Sequence, residues 1–157
     1  MVKVFLFGFI IFSFSVLFSC NSSKDATAKN QFVTLKNDDK LAMYLKNYFT
    51  LSENRAIETW YKIYLSKCTT FYKIEKPTKD TILNLIKSYW LTSDGQNHDI
   101  TKIEAKNITD GKEVMVTMNY SYKIIATNTK KLITNLKLLM ILDKKRNVVL
   151  VREYSRD

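Results

Sequence analysis

The side chains that could act as catalytic acids or bases are few, and their spacing brings none of them together. His98 is the only histidine in the 157 residues, and Asp99 follows it directly. In a strand these neighbours would point to opposite faces, so they predict two solvated residues and not a catalytic pair. The other acids in predicted strands are Glu104, Glu113 and Glu153. The sequence places none of them beside an oxyanion-stabilising group and predicts no catalytic residue.

The two cysteines indicate neither a disulfide nor a metal site. Cys20 lies at the end of the apolar N-terminal run, and Cys68 lies near the middle of the chain. Zinc sites need several cysteine, histidine or carboxylate ligands at close spacing, and the sequence has no such spacing. We therefore expect no metal and no other cofactor. Cys68 is predicted to be a buried structural thiol, because free cysteine packs as a small apolar side chain.

Aromatic side chains are the candidates for binding a ligand. Tyrosine and tryptophan combine an apolar body with a hydrogen-bonding group, which suits a pocket for a planar or lipid-like molecule. A place in the hydrophobic core is the alternative for each of them. The candidate ligand-binding residues are Trp60, Tyr61, Tyr89, Trp90, Met118, Tyr120 and Tyr122.

Two strand-like runs joined at Asn128 must position several of these residues. From Val114 to Ala126 every second position carries an apolar or aromatic residue, and the alternate positions are mostly polar. This period of two predicts an antiparallel strand with one packed face and one wet face. A second stripe at the same period consists of Leu132, Thr134, Leu136, Leu138, Met140 and Leu142. An apolar patch on the outer face, suited to dimerisation, would consist of Ile125, Ile133, Leu139 and Ile141.

Three helices are predicted to cover this sheet. Asp38 and Asp39 can cap the first, and Ser52 can cap the second. Pro77 and Thr78 open the third. In each helix apolar residues recur at spacings of three and four, which predicts one buried face.

The remaining segments are predicted from turn residues and short alternations. Residues 92–97 are predicted to form a loop, and Asp110-Gly111 is a hairpin signal. The other predicted strands are residues 69–74, 98–106 and 148–154.

The chain is strongly basic, with 25 Lys and Arg against 15 Asp and Glu, a formal net charge of +10. A positive field of this size favours anionic lipids, nucleic acids or acidic glycans. The lysines are spread along the sequence, and no basic motif alternates with aromatic residues as in a nucleic-acid platform. We therefore expect no nucleic-acid partner.

The N-terminal region has the pattern of a secretory leader followed by a cysteine. Lys3 supplies a positive charge, and residues 4–18 form an apolar run shorter than the roughly 20 residues that a spanning helix needs. The motif Leu17-Phe18-Ser19-Cys20 resembles the lipobox of bacterial lipoproteins. That resemblance implies cleavage after residue 19, diacylglycerol on the sulfur of Cys20, and an acyl chain such as palmitate on its amine.

The lipoprotein resemblance divides the chain into three parts and implies its location. Residues 1–19 are the signal peptide, residues 20–34 are the lipidated cysteine with a flexible tether, and residues 35–157 are a single domain. Two or three acyl chains give a stable membrane anchor. Lys24-Asp25 resembles the export signal of some Gram-negative surface lipoproteins. We expect a protein of the cell envelope, anchored in the outer membrane, with the leaflet left open.

The order of predicted elements resembles the NTF2-like family, which includes SnoaL-like and ketosteroid-isomerase-like proteins. Phe71-Tyr72 and Tyr89-Trp90 carry the resemblance, together with the strand patterns of residues 114–122 and 148–153. It implies an α+β cone in which about three N-terminal helices pack on a curved antiparallel sheet around an often apolar pocket. Enzymes of this family use carboxylates or an Asp-His pair with a tyrosine inside the cone. A cystatin-like fold, with one helix, is the alternative.

Three functions from different classes follow. The first is a membrane-anchored, non-catalytic NTF2-like module that binds a small apolar ligand or a protein partner. The second is an NTF2-like enzyme of isomerase or hydrolase type, which requires an ionisable group inside the cone. The third is a structural interaction protein that forms a homodimer through its outer sheet face. The aromatic residues and the absence of a catalytic pair in the sequence favour the first.

Overall fold

The computed structural model describes residues 31–37 and 39–154. The strands in this part are β1 (Val33–Thr34), β2 (Thr70–Phe71), β3 (Ile74–Glu75), β4 (Ser93–Ile108), β5 (Gly111–Ile124), β6 (Thr129–Asp143) and β7 (Val148–Glu153). They form one sheet in the order β1-β4-β5-β6-β7-β2-β3. The predicted signal peptide, Cys20, residues 20–30 of the tether and Asp38 lie outside the described residues.

Three helices accompany the sheet, as predicted. They are α1 (Lys40–Glu53), α2 (Ile57–Trp60), which continues as a π-helical turn (Tyr61–Leu65), and α3 (Lys79–Thr92). Asp39 caps α1 by accepting a 2.7 Å hydrogen bond from the amide of Leu41. Thr78 caps α3 in the same way through the amide of Thr81. None of the described helices is long and apolar enough to span a bilayer.

The boundary between α1 and α2 differs from the prediction. Ser52 is a buried residue inside α1 and does not cap α2. The chain instead breaks at Arg55, which adopts a left-handed backbone with φ of 55°, and Ala56 precedes α2 without a side-chain cap. The apolar stripe of α1 extends one turn further than the capping signal suggested, because packing outweighs a local serine preference.

The inner face of β5 forms the centre of the core. Val114, Val116 and Met118 have no exposed surface, and the helices cover them. The alternate residues of β5 are mostly partly buried, and Thr117 and Ser121 are buried. The predicted packed face is confirmed, but the opposite face is less wet than predicted. Directly opposed residues of neighbouring strands share a face, so this pattern extends into β4 and β6.

The sheet is mixed and not purely antiparallel as predicted. β2 runs parallel to β7, and all other pairings are antiparallel. The predicted strand over residues 69–74 is in fact two short strands, β2 and β3, that pair with each other. Tyr72, with φ of 55°, turns the chain between them. A left-handed residue cannot continue an extended strand, which explains the split.

The predicted loop over residues 92–97 is wrong, because β4 begins at Ser93 directly after α3. Ser93 pairs with Ile124, and the register shifts between Asp94 and Asn97. Gly95 has φ of 56° at this shift. The Asp-Gly pair that suggested a loop therefore forms a β-bulge within a long strand.

A second bulge reverses the faces of β6. Met118 pairs with Leu136, but Tyr120 pairs with Ile133, so β6 has one extra residue at this point. Asn135, with φ of 55°, lies in the bulge. A shift of one residue turns the preceding side chains to the other face. Leu132 is consequently 63% exposed and does not extend the predicted core stripe.

The predicted outer apolar patch is not assembled, for the same reason. Ile133 shares the inner face with Tyr120, whereas Leu139 lies on the opposite face and is buried. Ile125 lies in the turn between β5 and β6. The four residues proposed for a dimer surface therefore do not lie on one face.

Candidate ligand-binding site

Strand register places an aromatic group at one end of the inner face. Tyr120 of β5 lies directly between His98 of β4 and Ile133 of β6. Helix α3 passes over this position, so that Tyr89 in its last turns reaches Tyr120. We call the end of the sheet with the β5–β6 turn the distal end, and the end with the β4–β5 and β6–β7 turns the proximal end. The aromatic group lies toward the distal end.

The centre of the group is a pair of tyrosine hydroxyls. The Tyr89 and Tyr120 hydroxyl oxygens lie 2.6 Å apart, and either can donate. The Tyr122 ring stacks on Tyr120 at a centroid distance of 5.4 Å and lies 6.0 Å from Tyr89. Tyr89 is 39% exposed, whereas Tyr120 is buried. We define the tyrosine cluster as Tyr72, Tyr89, Tyr120 and Tyr122, an aromatic surface that is open on its α3 side.

The phenols of Tyr72 and Tyr120 remain protonated over a wide pH range. Burial, followed by the hydrogen bond with Tyr89, raises the pKa of Tyr120 far above 10. Burial, followed by the negative charge of Glu153, raises the pKa of Tyr72 to about 12. Both side chains are therefore neutral hydrogen-bonding groups at pH 7.

His98 lies beside the cluster and has an acidic partner. Glu53 at the end of α1 accepts hydrogen bonds from the His98 backbone amide at 2.6 Å and its ring Nδ1 at 3.0 Å. The imidazole stacks on Tyr120 at 4.7 Å and contacts Phe49 at 5.0 Å. Burial lowers the pKa of His98, although Glu53 opposes that effect. A neutral ring that donates from Nδ1 carries an unprotonated Nε2.

The structure brings together four of the seven predicted ligand-binding residues. Tyr89, Tyr120 and Tyr122 form the cluster, and Met118 lies fully buried on the same face, two positions along β5. The other three, Trp60, Tyr61 and Trp90, have separate surroundings.

Trp60, Tyr61 and Trp90 contact other elements. Trp60 packs edge-on against Tyr48 in the core, and its Nε1 has no hydrogen-bond partner among the described residues. Tyr61 lies under the ammonium group of Lys79 at 5.5 Å. Trp90 lies under the guanidinium group of Arg55 at 5.8 Å. Their place in the core or beside a cation accounts for these three residues.

The acids in the strands are divided between the two faces. Asp99 accepts from Asn119 on the outer face, and Glu104 pairs there with Lys102 at 2.8 Å. Glu153 is opposite Leu138 and therefore lies on the inner face, with its side chain exposed. Its charge acts on Tyr72 and Tyr89, so Glu153 borders the tyrosine cluster.

His98 and Glu53 are the site residues that sequence reasoning missed. The sequence predicted His98 as a solvated residue, but only 11% of its side chain is exposed. Counting back along β4 from Ile103 with an unbroken period of two would have placed His98 on the wrong face, because a register shift lies between Ile100 and Lys102. Glu53 is 45 residues away from His98 in sequence, and no local pattern connects the two.

Cys68 is buried, as predicted. Its thiol donates to the carbonyl of Thr70 at 3.1 Å. Burial raises the pKa of this thiol to about 11, which suppresses the reactive thiolate. Within residues 31–37 and 39–154, no three histidine, cysteine or acidic side chains gather closely enough to hold a metal ion.

A concave region lies at the proximal end, apart from the tyrosine cluster. It is a cleft of about 660 Å³ between the start of α1, the β4–β5 turn and the β6–β7 turn. Its charged lining residues are Asp39, Lys40, Lys112, Asp143, Lys144 and Arg146. None of the predicted ligand-binding residues lies in this cleft.

Comparison with solved structures identifies the fold. Neither a protein-family model nor a curated protein sequence matches this chain. A protein from Catenulispora acidiphila with a ketosteroid isomerase-like fold, solved in complex with trimethylamine, aligns with a TM-score of 0.53 and 11% identity over 71% of this chain and 83% of its own. The β subunit of benzoate 1,2-dioxygenase from Burkholderia mallei aligns with a TM-score of 0.54 and 14% identity over 76% and 91%.

These similarities agree with the topology described above. Three helices packed on a curved mixed sheet distinguish the chain from a cystatin-like fold, which has one helix. At 11% and 14% identity the comparisons establish the fold and nothing about activity. The described domain has the NTF2-like, or ketosteroid-isomerase-like, α+β fold.

Proposed function

We propose that this chain is a membrane-anchored envelope lipoprotein whose NTF2-like domain binds a small, largely apolar ligand without transforming it. The observation that carries the proposal is the hydroxyl pair of Tyr89 and Tyr120, 2.6 Å apart and open on the Tyr89 side. Aromatic rings supply apolar contact area, and a few fixed polar groups orient the ligand, which is the usual composition of a small-molecule site.

The hydroxyl pair leaves hydrogen-bonding capacity for a ligand. Two hydroxyls that bond to each other use one donor, so the second hydrogen is free to bond to an acceptor oxygen or nitrogen. The stacked ring of Tyr122, which is partly exposed, supplies apolar surface next to it, whereas Met118 is fully buried beneath the same face. A ligand with an apolar body and one polar atom suits this arrangement.

The structural neighbours support small-ligand binding and leave a protein partner as the alternative. One neighbour was solved in complex with trimethylamine, a small amine with three methyl groups. The other is a β subunit of a dioxygenase, in which this fold assembles with other chains. We assign a small molecule to this chain, because the one free hydrogen of the hydroxyl pair can be reached from the exposed side of Tyr89 by a small molecule with an acceptor atom.

Native mass spectrometry of the mature chain from Cys20 to Asp157, extracted in detergent from the organism's own envelope, tests the ligand. We expect a mass excess that disappears on denaturation and that is lost in a Tyr89→Phe, Tyr120→Phe double variant. Tyr154→Phe is the matched control, because Tyr154 is an exposed tyrosine next to Glu153 on the opposite face. A bare monomer or dimer for the wild-type chain would contradict tight binding and favour a protein partner.

The anchor is proposed from the motif at Cys20 alone, which lies outside the described residues. Metabolic labelling with radioactive palmitate tests it, and we expect label on the wild-type chain that Cys20→Ala abolishes. Cys68→Ala is the matched control, because Cys68 is the other cysteine and is buried. Label that persists in Cys20→Ala would overturn the lipoprotein assignment. Outer-membrane location is tested by fractionation of the same labelled cells.

A second candidate function, an isomerase, is favoured by one specific observation. The Glu53–His98 pair supplies a neutral imidazole beside the Tyr89–Tyr120 hydroxyls, which is the ionisable group inside the cone that an enzyme requires. His98 Nε2 would remove a proton from a carbon next to a carbonyl, while the Tyr120 hydroxyl donates to the developing enolate oxygen. The protonated His98 then delivers a proton to another carbon, which completes an isomerisation without a co-reactant. Exchange of the Nε2 proton with solvent before that step would introduce solvent hydrogen into the product.

Substitution of His98 separates the two candidates. For a binding protein, His98→Gln should leave the native mass excess in place and the bound molecule unchanged over time. For an isomerase, incubation of the wild-type chain with the released molecule in deuterated water should introduce deuterium into it, and His98→Gln should abolish the exchange. Asp99→Asn is the control, because Asp99 lies on the outer face.

A further inference from the structure

The described chain enters the domain at the proximal end. β1 runs antiparallel to β4, with Val33 opposite Ala105 and Thr34 opposite Glu104. Moving backward from Val33 therefore leads toward the β4–β5 turn. The ammonium group of Lys106 lies 4.7 Å from the centre of the Phe32 ring, which places Phe32 further along the same path. The segment that precedes residue 31 thus joins the domain at its proximal end.

The proximal end carries a group of exposed cations from four separate segments. They come from the start of α1, the chain before β2, the start of β5 and the β6–β7 turn. We define the basic end as Lys40, Lys67, Lys112, Lys144, Lys145 and Arg146, all of them exposed. In sequence these residues span more than a hundred positions, and the fold gathers them.

The described acidic side chains at this end already have hydrogen-bond or ion-pair partners nearby. Asp39 caps α1 through the amide of Leu41. Asp143 accepts hydrogen bonds from the amides of Lys145 and Asn147 and from the Asn147 side chain, each 2.8 Å long. Asp110 lies 3.5 Å from the ammonium group of Lys144. Among the described residues, three acids against six cations leave an excess of positive charge at the basic end.

We propose that the basic end docks on the anionic headgroups of the phospholipid bilayer in which Cys20 is anchored. The proposal rests on the lipoprotein anchor proposed above. Eleven residues between Cys20 and Phe32 cannot separate the domain from the bilayer by more than about 40 Å even when extended. The end at which the tether joins the domain is therefore the end nearest the bilayer, and it is the basic one.

Docking on the bilayer accounts for the position of the basic end beside the tether. Lysine and arginine near a bilayer with anionic lipids are attracted within a distance of about 8–10 Å at physiological salt. Such contacts are weak one by one, but a covalent anchor holds the domain at high local concentration near the surface. With the proximal end down, the tyrosine cluster toward the distal end would point away from the bilayer and remain open to a ligand.

Lysine labelling of the full chain tests the orientation. The acylated protein is reconstituted into vesicles of phosphatidylcholine alone or with phosphatidylglycerol, and a water-soluble acetylating reagent modifies exposed lysines. We expect Lys40, Lys67, Lys112, Lys144 and Lys145 to react at least about fivefold more slowly on the anionic vesicles, and this protection to disappear at about 1 M salt. Lys123, Lys130 and Lys131, exposed near the distal end, serve as the internal control and should react equally on both.

Two charge-reversal variants complete the test. Lys112→Glu with Lys144→Glu and Lys145→Glu should abolish the protection of Lys40 and Lys67. Lys123→Glu with Lys130→Glu and Lys131→Glu changes the net charge equally and should leave it intact. Circular dichroism checks that both remain folded. Equal labelling on the two vesicle types, or protection of the distal lysines, would overturn the docking proposal.

The design separates this proposal from the anchor. If the full chain fails to associate with either vesicle type, the anchor is wrong. The chain is then coupled through Cys20 to a maleimide lipid, which restores the high local concentration because the buried Cys68 reacts poorly. Unprotected basic-end lysines on the anionic vesicles would then overturn docking as well. Protection that inorganic phosphate produces on phosphatidylcholine vesicles would assign the basic end to a soluble anion and overturn the bilayer as its partner.

Discussion

The hydroxyl oxygens of Tyr89 and Tyr120 lie 2.6 Å apart and join helix α3 to the central strand β5. Tyr89 comes from an exposed turn of the helix, whereas Tyr120 lies on the buried face of the sheet. The hydrogen bond therefore connects the open side of the cluster to the core. It also fixes the direction in which both rings present their polar atoms.

Removing the Tyr120 hydroxyl should cost little stability but most of the ligand affinity. Tyr120→Phe breaks one partly buried hydrogen bond, so we expect a loss of about 1 kcal/mol in the free energy of unfolding, measured in urea. Tyr89→Phe should cost less, because Tyr120 is buried and Tyr89 is half exposed. Ligand retention equal to that of the wild-type chain in both variants would show that the hydroxyl pair does not contribute to binding.

Stability should fall as the pH falls below the ordinary pKa of histidine. Burial lowers the pKa of His98 in the folded state, so the unfolded chain takes up a proton that the folded chain does not. Stability from neutral His98 is therefore complete above about pH 6.5 and decreases on acidification toward the lowered pKa, with a slope of up to about 1.4 kcal/mol per pH unit. His98→Gln should flatten this part of the urea-denaturation profile. Parallel profiles of stability against pH for the wild-type and His98→Gln proteins would contradict the assignment of a lowered pKa to His98.

Gly111 should not tolerate a side chain. A Cβ atom there would lie 1.8 Å from the Leu142 carbonyl oxygen, and φ is 156°. We expect Gly111→Ala to cost about 3 kcal/mol or more, because the β5–β6 ladder must move. Gly95→Ala is the control, since Gly95 has φ of 56° in open space and should cost only about 1–2 kcal/mol. Equal losses of stability in Gly111→Ala and Gly95→Ala would mean that backbone conformation alone determines the cost of both substitutions.

The bulge in β6 can be tested at Asn135. Its φ of 55° favours glycine or asparagine, so Asn135→Gly should be nearly neutral, within about 0.5 kcal/mol. A β-branched residue is strained in this conformation, and Asn135→Val should cost about 1–3 kcal/mol. Thermal unfolding of both variants measures the difference. A stable valine variant would indicate that the bulge is not required.

Cys68 should react slowly with alkylating reagents in the folded protein. Burial raises the pKa of its thiol to about 11, so little thiolate exists at pH 8. We expect iodoacetamide to modify Cys68 at least about a hundredfold more slowly in buffer than in denaturant. Similar rates in both would show that the region around β2 opens readily.

Local patterns in the sequence predicted most of the elements. The alternation around Val116 places β5 and its buried face, because a pleated strand turns successive side chains to opposite sides. Asp39 and Thr78 predict where α1 and α3 begin, because an N-cap needs only a side chain and the next few amides. These signals act over a few residues, so they can be interpreted without knowledge of the rest of the chain.

The predictions from sequence were wrong where long-range packing changes a local pattern. The bulge at Asn135 reverses the faces of β6, so Leu132 points outward and Ile133 joins Tyr120. The bulge after Asp94 turns an apparent loop into the start of β4. A bulge depends on the register of two partner strands, which single-strand periodicity does not contain.

The sequence alone therefore determined the α+β class, the three helices, the central hairpin and the aromatic residues available for a site. Tertiary structure decided which of those residues meet, because contacts such as His98 with Glu53 join positions 45 residues apart. It also gathered the basic end from four segments that look like evenly spread lysines in sequence. Local propensity acts through neighbouring residues, whereas a site depends on the register and packing of the whole sheet.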